Sequence, residues 1–343
     1  MDKTRVLVVG AGQVGMGTLE ALLDKEEFHH DVEVVGVATR RPEKLKGISA
    51  VIYPYNSPED LKKSAGKVDV AVICNASQAL WYHSPDGTVA NEEGPKWIDI
   101  FNVTVDSFDN HRETAEYFEA MTTEDHLACF GFGWDPGKEF SPQKHVKKSS
   151  FPRSATNLFY GPGMSQGHST ALRTDPLLKQ LGVVDAVQFT MPREETLERV
   201  RAGEMKEFSP GERMWRDCYI QLDRDSDMDA ITKHVQEMPG YFVGYETKVT
   251  SVSADKMGEL RQRKGHQGVI MTVGKTRGGS SIVTERRLTF ENNAQATGCF
   301  LAEATVAGNK AYQEGRRGVV VPGDLGENLF SCLTQREIIG RGL

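Results

Sequence analysis

Two carboxylates in this chain follow short apolar runs directly: Asp106 in "VTVDSFDNH" and Asp135 in "GFGWDPG". A carboxylate so placed can grip an ammonium group and take its proton while a hydride leaves the adjoining carbon. If both runs are strands of one sheet, the two groups converge despite their separation in sequence. Asp109 is the nearby rival. Each also has a plainer reading, Asp106 as the N-cap of a following helix and "WDPG" as a turn.

Two glycine-rich stretches offer anion sites. In "RVLVVGAGQVGMGTLEALL" a β-branched run precedes Gly10, Gly12 and Gly15, with Gln13 and Val14 between them, and a helical pattern follows. GxGxxG between strand and helix suits a dinucleotide pyrophosphate. The first glycine makes the turn, the second admits the phosphates, the third lets helix and strand approach, and the helix N-terminus faces the charge. The second strand, "VEVVGVATRR", ends in Thr39, Arg40 and Arg41 rather than an acid. Guanidinium groups bind a 2′-phosphate that a carboxylate would repel, so NADP is the expected cofactor. In the second stretch, "FYGPGMSQGHSTALR", glycines point backbone N–H groups at an anion just before Ser169 and Thr170 open a helix.

The elements that must position these groups alternate. Strands are expected at "VDVAVICNAS" and "PKWIDIF", with "SPEDLKKSAG" a helix capped by Ser57. A helix over about 110–123 leads to a short strand, "LACFGFG". This is a doubly wound parallel sheet, a Rossmann-type dinucleotide-binding domain over residues 1–150. Ligands sit beyond the carboxyl ends of such strands, which selects Cys74, Asn75, Ala76 and Ser77, then residues 105–111, then "GWDPG".

From about Phe151 the pattern becomes alternating strands, "DAVQFTMP", "RMWRDCYIQL", "YETKVTSVS", "GVIMTVG" and "SIVTERRLTF", broken by helices near 194–202 and 226–237. The expectation is an α+β substrate and dimerisation domain over 151–304, a mixed, mainly antiparallel sheet with helices on one face. An alanine-rich helix over about 294–313 returns to the first domain, to which the segment 305–343 also belongs.

The 343 residues carry a net charge of -7 with no long basic run, which speaks against a nucleic-acid partner. Five scattered cysteines lack CxxC spacing and nine histidines lack metal-ligand spacing, so neither a disulfide framework nor a metal site is expected. No HExxH, P-loop or nucleophile elbow is present. No stretch reaches the roughly 20 apolar residues of a membrane span and no signal peptide is read, so a soluble protein of a reducing compartment is expected.

"GWDPG", "GPGMSQGHSTALR" and "MPGYFVGYE" behind an N-terminal "GAGQVG" resemble the meso-diaminopimelate dehydrogenases over nearly the whole chain. The resemblance implies a cytoplasmic, homodimeric, NADP-dependent enzyme of lysine biosynthesis. Such an enzyme oxidatively deaminates the D-centre of meso-2,6-diaminopimelate to L-2-amino-6-oxopimelate, with ammonia and NADPH as co-products. It also implies that Asp106 and Asp135 hold the reacting amino group. Trp134, Met164, Ser165, Gln166 and Gly167 would wall that end, and Thr190, Arg216, His266 and Asn293 would grip the distal L-centre. Arg40 and Arg41 would meet the 2′-phosphate. The chain departs from the family at Tyr160, where tryptophan is usual, at residues 80–95, read as a loop or hairpin, and in the polar stretch 138–153. Two other readings stay open: a dehydrogenase of simple D-amino acids or other diamino acids on the same fold, and a non-catalytic NADP-binding protein.

Overall fold

The computed structural model describes residues 3–24, 32–45, 50–83, 89–108, 114–121, 123–134, 137, 139–140, 151, 153–330 and 340. Asp109, Asp135, the start of the helix expected from residue 110 and nearly all of 138–153 lie outside them. The chain forms two compact units, Met1–Pro142 with Ala294–Leu343, and Gln143–Asn293.

The strands of the first unit are β1 (Thr4–Val9), β2 (Val32–Thr39), β3 (Ile52–Pro54), β4 (Val70–Ile73), β5 (Tyr82–His83), β6 (Val89–Asn91), β7 (Val103–Asp106), β8 (Leu127–Cys129) and, from the returning segment, a last strand Gly318–Val320. All but β5 and β6 form one parallel sheet in the order last strand, β8, β7, β4, β1, β2, β3. Alternate residues of β1 feed two cores. Val6 and Val8 join Leu19, Leu22, Leu301 and Ala304 on one face, while Leu7 and Val9 join Leu61, Trp97 and Phe101 on the other. A strand buried on both faces reads as the continuous apolar run seen here. The sheet order reverses at β1 and β4, which opens the crevice where ligands of this fold bind.

The helix Asn293–Gln313 covers the Val6 face. It approaches the helix Gln13–Leu23 so closely that a Cβ on Gly298 would lie 2.4 Å from the Gly17 carbonyl carbon. Small residues are required there by contact, not by flexibility.

The second unit holds β9 (Arg153–Tyr160), β10 (Gly163–Met164), β11 (Val183–Pro192), β12 (Met214–Leu222), β13 (Thr247–Ser251), β14 (His266–Lys275) and β15 (Ser281–Phe290), which makes the strand Gly318–Val320 β16. The strands make two sheets, where the sequence suggested one. The four-stranded sheet runs β10-β11-β12-β13, with β12 and β13 parallel, and an antiparallel one runs β15-β14-β9. Helices lie on both faces of the four-stranded sheet, not one. Ile231 and Val235 pack with Ala186 and Cys218, and Met257 and Leu260 with Val187 and Phe189.

Three local expectations are corrected. "PKWIDIF" is not a strand: Glu93–Ile98 is helical, and Gly94, Trp97 and Ile98 bury one helical face. In so short a run the two periods cannot be told apart. The strand β9 has no counterpart in the sequence reading. The helix after "GPGM" spans Gln166–Thr174 with Ser165 as its N-cap, so it opens before Ser169. The strands β5 and β6 pair antiparallel within the stretch read as a loop or hairpin, and Ser57 caps its helix with the Ser57 N–H donating to Asp60 Oδ2 at 3.2 Å.

Candidate active site

In the first unit the glycine loop has the geometry its motif requires. Gly10 has φ +103°, and a Cβ there would lie 2.8 Å from Asn75 Oδ1. On Gly15 a Cβ would stand 1.9 Å from the Gly10 carbonyl oxygen, so helix and turn touch at that point. At Gly12, the N-cap of the helix Gln13–Leu23, a Cβ would meet nothing within 4 Å. That open space at a helix N-terminus is where a pyrophosphate approaches the backbone, so the loop fits a dinucleotide. Val14 packs against the core and Cys74 Sγ lies 3.6 Å from Thr18 Oγ1. Ala76 is the N-cap of the helix Ser77–Leu80 beyond β4.

Arg40 and Arg41 follow β2 and are exposed, with Thr39 Oγ1 accepting from the Arg41 N–H at 3.1 Å. Arg40 lies over the Tyr55 ring, 5.3 Å from its centroid. It is not a lone cation: its Nη2 pairs with Glu93 Oε1. Asn75 Nδ2 donates to Glu93 Oε2 at 3.4 Å and to the Tyr55 hydroxyl at 3.3 Å. The sequence reading found no acid beside the arginines. The fold brings one from the helix Glu93–Ile98, and spacing carries no signal for it.

Asp106 is the last residue of β7 and is 2% exposed. Its Oδ1 accepts from the N–H groups of Gly131 at 2.9 Å and Phe108 at 3.1 Å, and its Oδ2 accepts from the Tyr117 hydroxyl at 3.2 Å. Burial pushes the carboxyl up to about 6 against the pull of these three bonds. One of the three, Gly131, lies on the segment leading to Trp134, which is buried edge-on against Phe140. Asp106 therefore ties the end of β7 to the segment that carries "GWDPG".

The second unit gathers every substrate residue the resemblance assigns to it. Across β11 and β12, Thr190 Oγ1 accepts from Arg216 Nη1 at 2.6 Å and from Gln188 Nε2 at 3.3 Å. With both lone pairs engaged, the hydroxyl proton is left to donate to an acceptor such as a carboxylate. The Arg216 guanidinium lies over Tyr245, 4.0 Å from the centroid. His266 Nδ1 is 3.0 Å from the Gln267 carbonyl oxygen. A carbonyl only accepts, so Nδ1 carries the proton and Nε2 presents a lone pair. Burial pushes this imidazole down to about 4, so it is neutral near pH 7.

The "GPG" glycines have a reason the sequence did not show. A Cβ on Gly161 would fall 1.9 Å from the Thr190 carbonyl oxygen, and one on Gly163 would fall 2.4 Å from the His266 ring. Close approach, not only backbone N–H exposure, demands glycine here. Met164 is buried, and its carbonyl accepts from Asn293 Nδ2 at 3.4 Å. The Ser165 N–H donates to the Gln188 carbonyl at 3.0 Å, and Gln166 and Gly167 form the first turn beyond that cap. Tyr160 ends β9 opposite Gly268, two residues from His266. Among the described residues no group of three or more His, Cys, Asp or Glu is placed to hold a metal, and no helix is long and apolar enough to cross a membrane.

A nucleotide crevice with a glycine cradle, joined in one chain to an α+β unit that buries a threonine–arginine pair, has the architecture of the dinucleotide-dependent oxidoreductases. Comparison with known proteins narrows the class. The family model described as diaminopimelic acid dehydrogenase C-terminal domain matches residues 133–292. The meso-diaminopimelate D-dehydrogenase of Ureibacillus thermosphaericus is 31% identical over 96% of each chain. The chain belongs to the meso-diaminopimelate D-dehydrogenase family. It superposes on the C. glutamicum DAP dehydrogenase in complex with DAP with a TM-score of 0.85, 28% identity and complete coverage of both chains. A sixfold-substituted Clostridium tetani meso-DAP dehydrogenase with DAP gives 0.83 at 29% identity, covering 99% of this chain and 100% of that one. An engineered D-amino acid dehydrogenase bound to NADP+ gives 0.84 at 28% identity with the same coverage.

Proposed function

We propose that this protein oxidises the D-centre of meso-2,6-diaminopimelate with NADP+, releasing L-2-amino-6-oxopimelate, ammonia and NADPH, in lysine biosynthesis. NADP+, when bound, supplies the hydride acceptor. The observation that carries the reading is the distal clamp. Arg216 and the Thr190 hydroxyl suit a carboxylate, and the neutral His266 ring suits an ammonium group. A simple D-amino acid has no distal carboxylate or ammonium group for these residues to bind, so the clamp adds nothing to its affinity.

The order of residues supports the clamp. The Clostridium tetani variant is replaced at a glutamine, threonine, arginine, proline, histidine and asparagine in turn. This chain presents Gln166, Thr190, Arg216, Gly265, His266 and Asn293 in the same order, with glycine for proline and the same threonine-to-arginine interval of 26 residues. At the reacting end, Asp135 receives the amino group and takes its proton. Asp106 sets the segment that carries Asp135, and Trp134 walls it. The N-terminus of the helix Gln166–Thr174, with Ser165, receives the D-end carboxylate. The enzyme works as a cytoplasmic homodimer, with Tyr160 shaping the pocket wall.

NADP+ reduction with meso-, LL- and DD-diaminopimelate and with D-alanine, run side by side, tests the reaction. Turnover of the meso isomer far above the rest is the expected result. Preference for D-alanine would replace this reading with a D-amino-acid dehydrogenase. Sedimentation of the pure protein checks the dimer.

A further inference from the structure

The cofactor crevice contains an acid that the phosphate-binding reading does not use. Glu93 opens the first turn of the helix Glu93–Ile98, and its side chain is only 15% exposed. Both of its oxygens are engaged by residues of the crevice, one by Arg40 Nη2 and the other by Asn75 Nδ2. Asn75 in turn borders Gly10, the turn of the pyrophosphate loop. Arg40 is the guanidinium best placed for a 2′-phosphate, since it is stacked on Tyr55 at the ends of β2 and β3. Its resident anion is therefore a carboxylate of the same chain.

We propose that Glu93 is a cofactor-selectivity residue, an internal anion that occupies Arg40 and that the 2′-phosphate of NADP must displace or share. The inference rests on the NADP reading above. Two features make Glu93 a competitor and not merely a brace. Arg40 is already oriented by the Tyr55 ring, so it does not need the carboxylate to point into the crevice. And a phosphate dianion drawn to the same guanidinium is repelled by a carboxylate held beside it. The pair is half exposed on the arginine side, so it yields to a stronger anion without dismantling the fold. NAD lacks the 2′-phosphate and leaves the pair intact. Glu93 thus narrows the gap in affinity between NADP and NAD.

The test uses two fragments that differ only at the 2′ position, 2′,5′-ADP and 5′-AMP, titrated calorimetrically into the wild-type protein and the variants Glu93→Gln, Arg40→Ala and the double variant. Glu93→Gln keeps the shape and the Asn75 contact while removing the charge. It should bind 2′,5′-ADP about five- to tenfold more tightly, as expected for losing one close like charge, and bind 5′-AMP as before. The double variant should lose that gain. Unchanged or weaker 2′,5′-ADP binding in Glu93→Gln, with the wild-type preference for 2′,5′-ADP intact, would overturn the role given to Glu93 alone. Equal binding of both fragments by all four proteins would overturn the NADP reading and the inference together. A gain in Glu93→Gln from a wild type without preference would support the inference on its own.

Discussion

Thr190 and Arg216 are cross-strand partners of β11 and β12, both buried, and the arginine donates to the threonine hydroxyl at 2.6 Å. The bond makes the two side chains one unit. The arginine supplies the charge, and with its oxygen already accepting, the threonine hydroxyl is left to donate.

Arg216→Lys keeps the charge but loses the planar fork and the ring contact with Tyr245. The KM for meso-diaminopimelate should rise about tenfold to a hundredfold, the range for losing a charge-assisted hydrogen bond. Turnover of D-alanine, which lacks the distal carboxylate, should change little. Equal losses on both substrates would mean that Arg216 is only structural.

His266 should stay neutral across the working range. Its folded value lies near 4 against an ordinary 6.5, so its contribution to stability is fully present above pH 6.5 and is lost as pH falls through about 4. Proton NMR of the ring should show no titration between pH 6 and 8. A midpoint near 6.5 would remove its assignment as an acceptor for the distal ammonium group.

Asp106 has the opposite sign. Its carboxyl is raised from an ordinary 3.8 to about 6, so the stability tied to it is complete below pH 4 and is lost as pH rises through about 6. Asp106→Asn preserves an acceptor for Gly131 and Phe108 and can donate to the Tyr117 oxygen, so its stability should be flatter between pH 4 and 7 than that of the wild type. A variant that denatures at neutral pH would show that the ionised form is needed.

Asp135→Asn should lower kcat by about a hundredfold or more, the scale of losing a general base, with NADPH affinity nearly intact. Unchanged turnover would take Asp135 out of the chemistry.

Gly163→Ala forces a methyl group into the His266 ring, which sits 2.4 Å from the position it would take. The expected result is a raised KM for meso-diaminopimelate with NADP+ binding unchanged. Full retention of KM would mean that the loop relaxes without moving the imidazole.

The parts of this site that could be read from the chain are the local ones. GxGxxG, the run before it and the helix after it are contiguous, and so is the step from β2 to Arg40 and Arg41. Glu93 was not legible, because its partner is 53 residues away and its own helix mimics a strand. The strand β9 escaped for a different reason. Its buried positions, on both faces, include Thr156, hydrogen-bonded to Thr272 at 2.9 Å, and Asn157, which holds the Lys206 carbonyl and the Phe208 N–H. Buried polar residues with dedicated partners break the apolar alternation on which a strand is recognised. The distal clamp came into view through family resemblance, because nothing in spacing alone pairs Thr190 with Arg216.

The return of the helix Asn293–Gln313 to the first unit has a consequence for how the protein is made. Asn309 Nδ2 donates to Thr4 Oγ1 at 2.7 Å, a contact spanning 305 residues. A ribosome adding roughly 5–20 residues per second delivers the second partner on the order of 15–60 s after the first. Through that interval the Val6 and Val8 face of the opening strand has Leu19 and Leu22 against it but lacks Leu301 and Ala304. The nascent chain must carry the rest of that face uncovered while the whole inserted unit is synthesised.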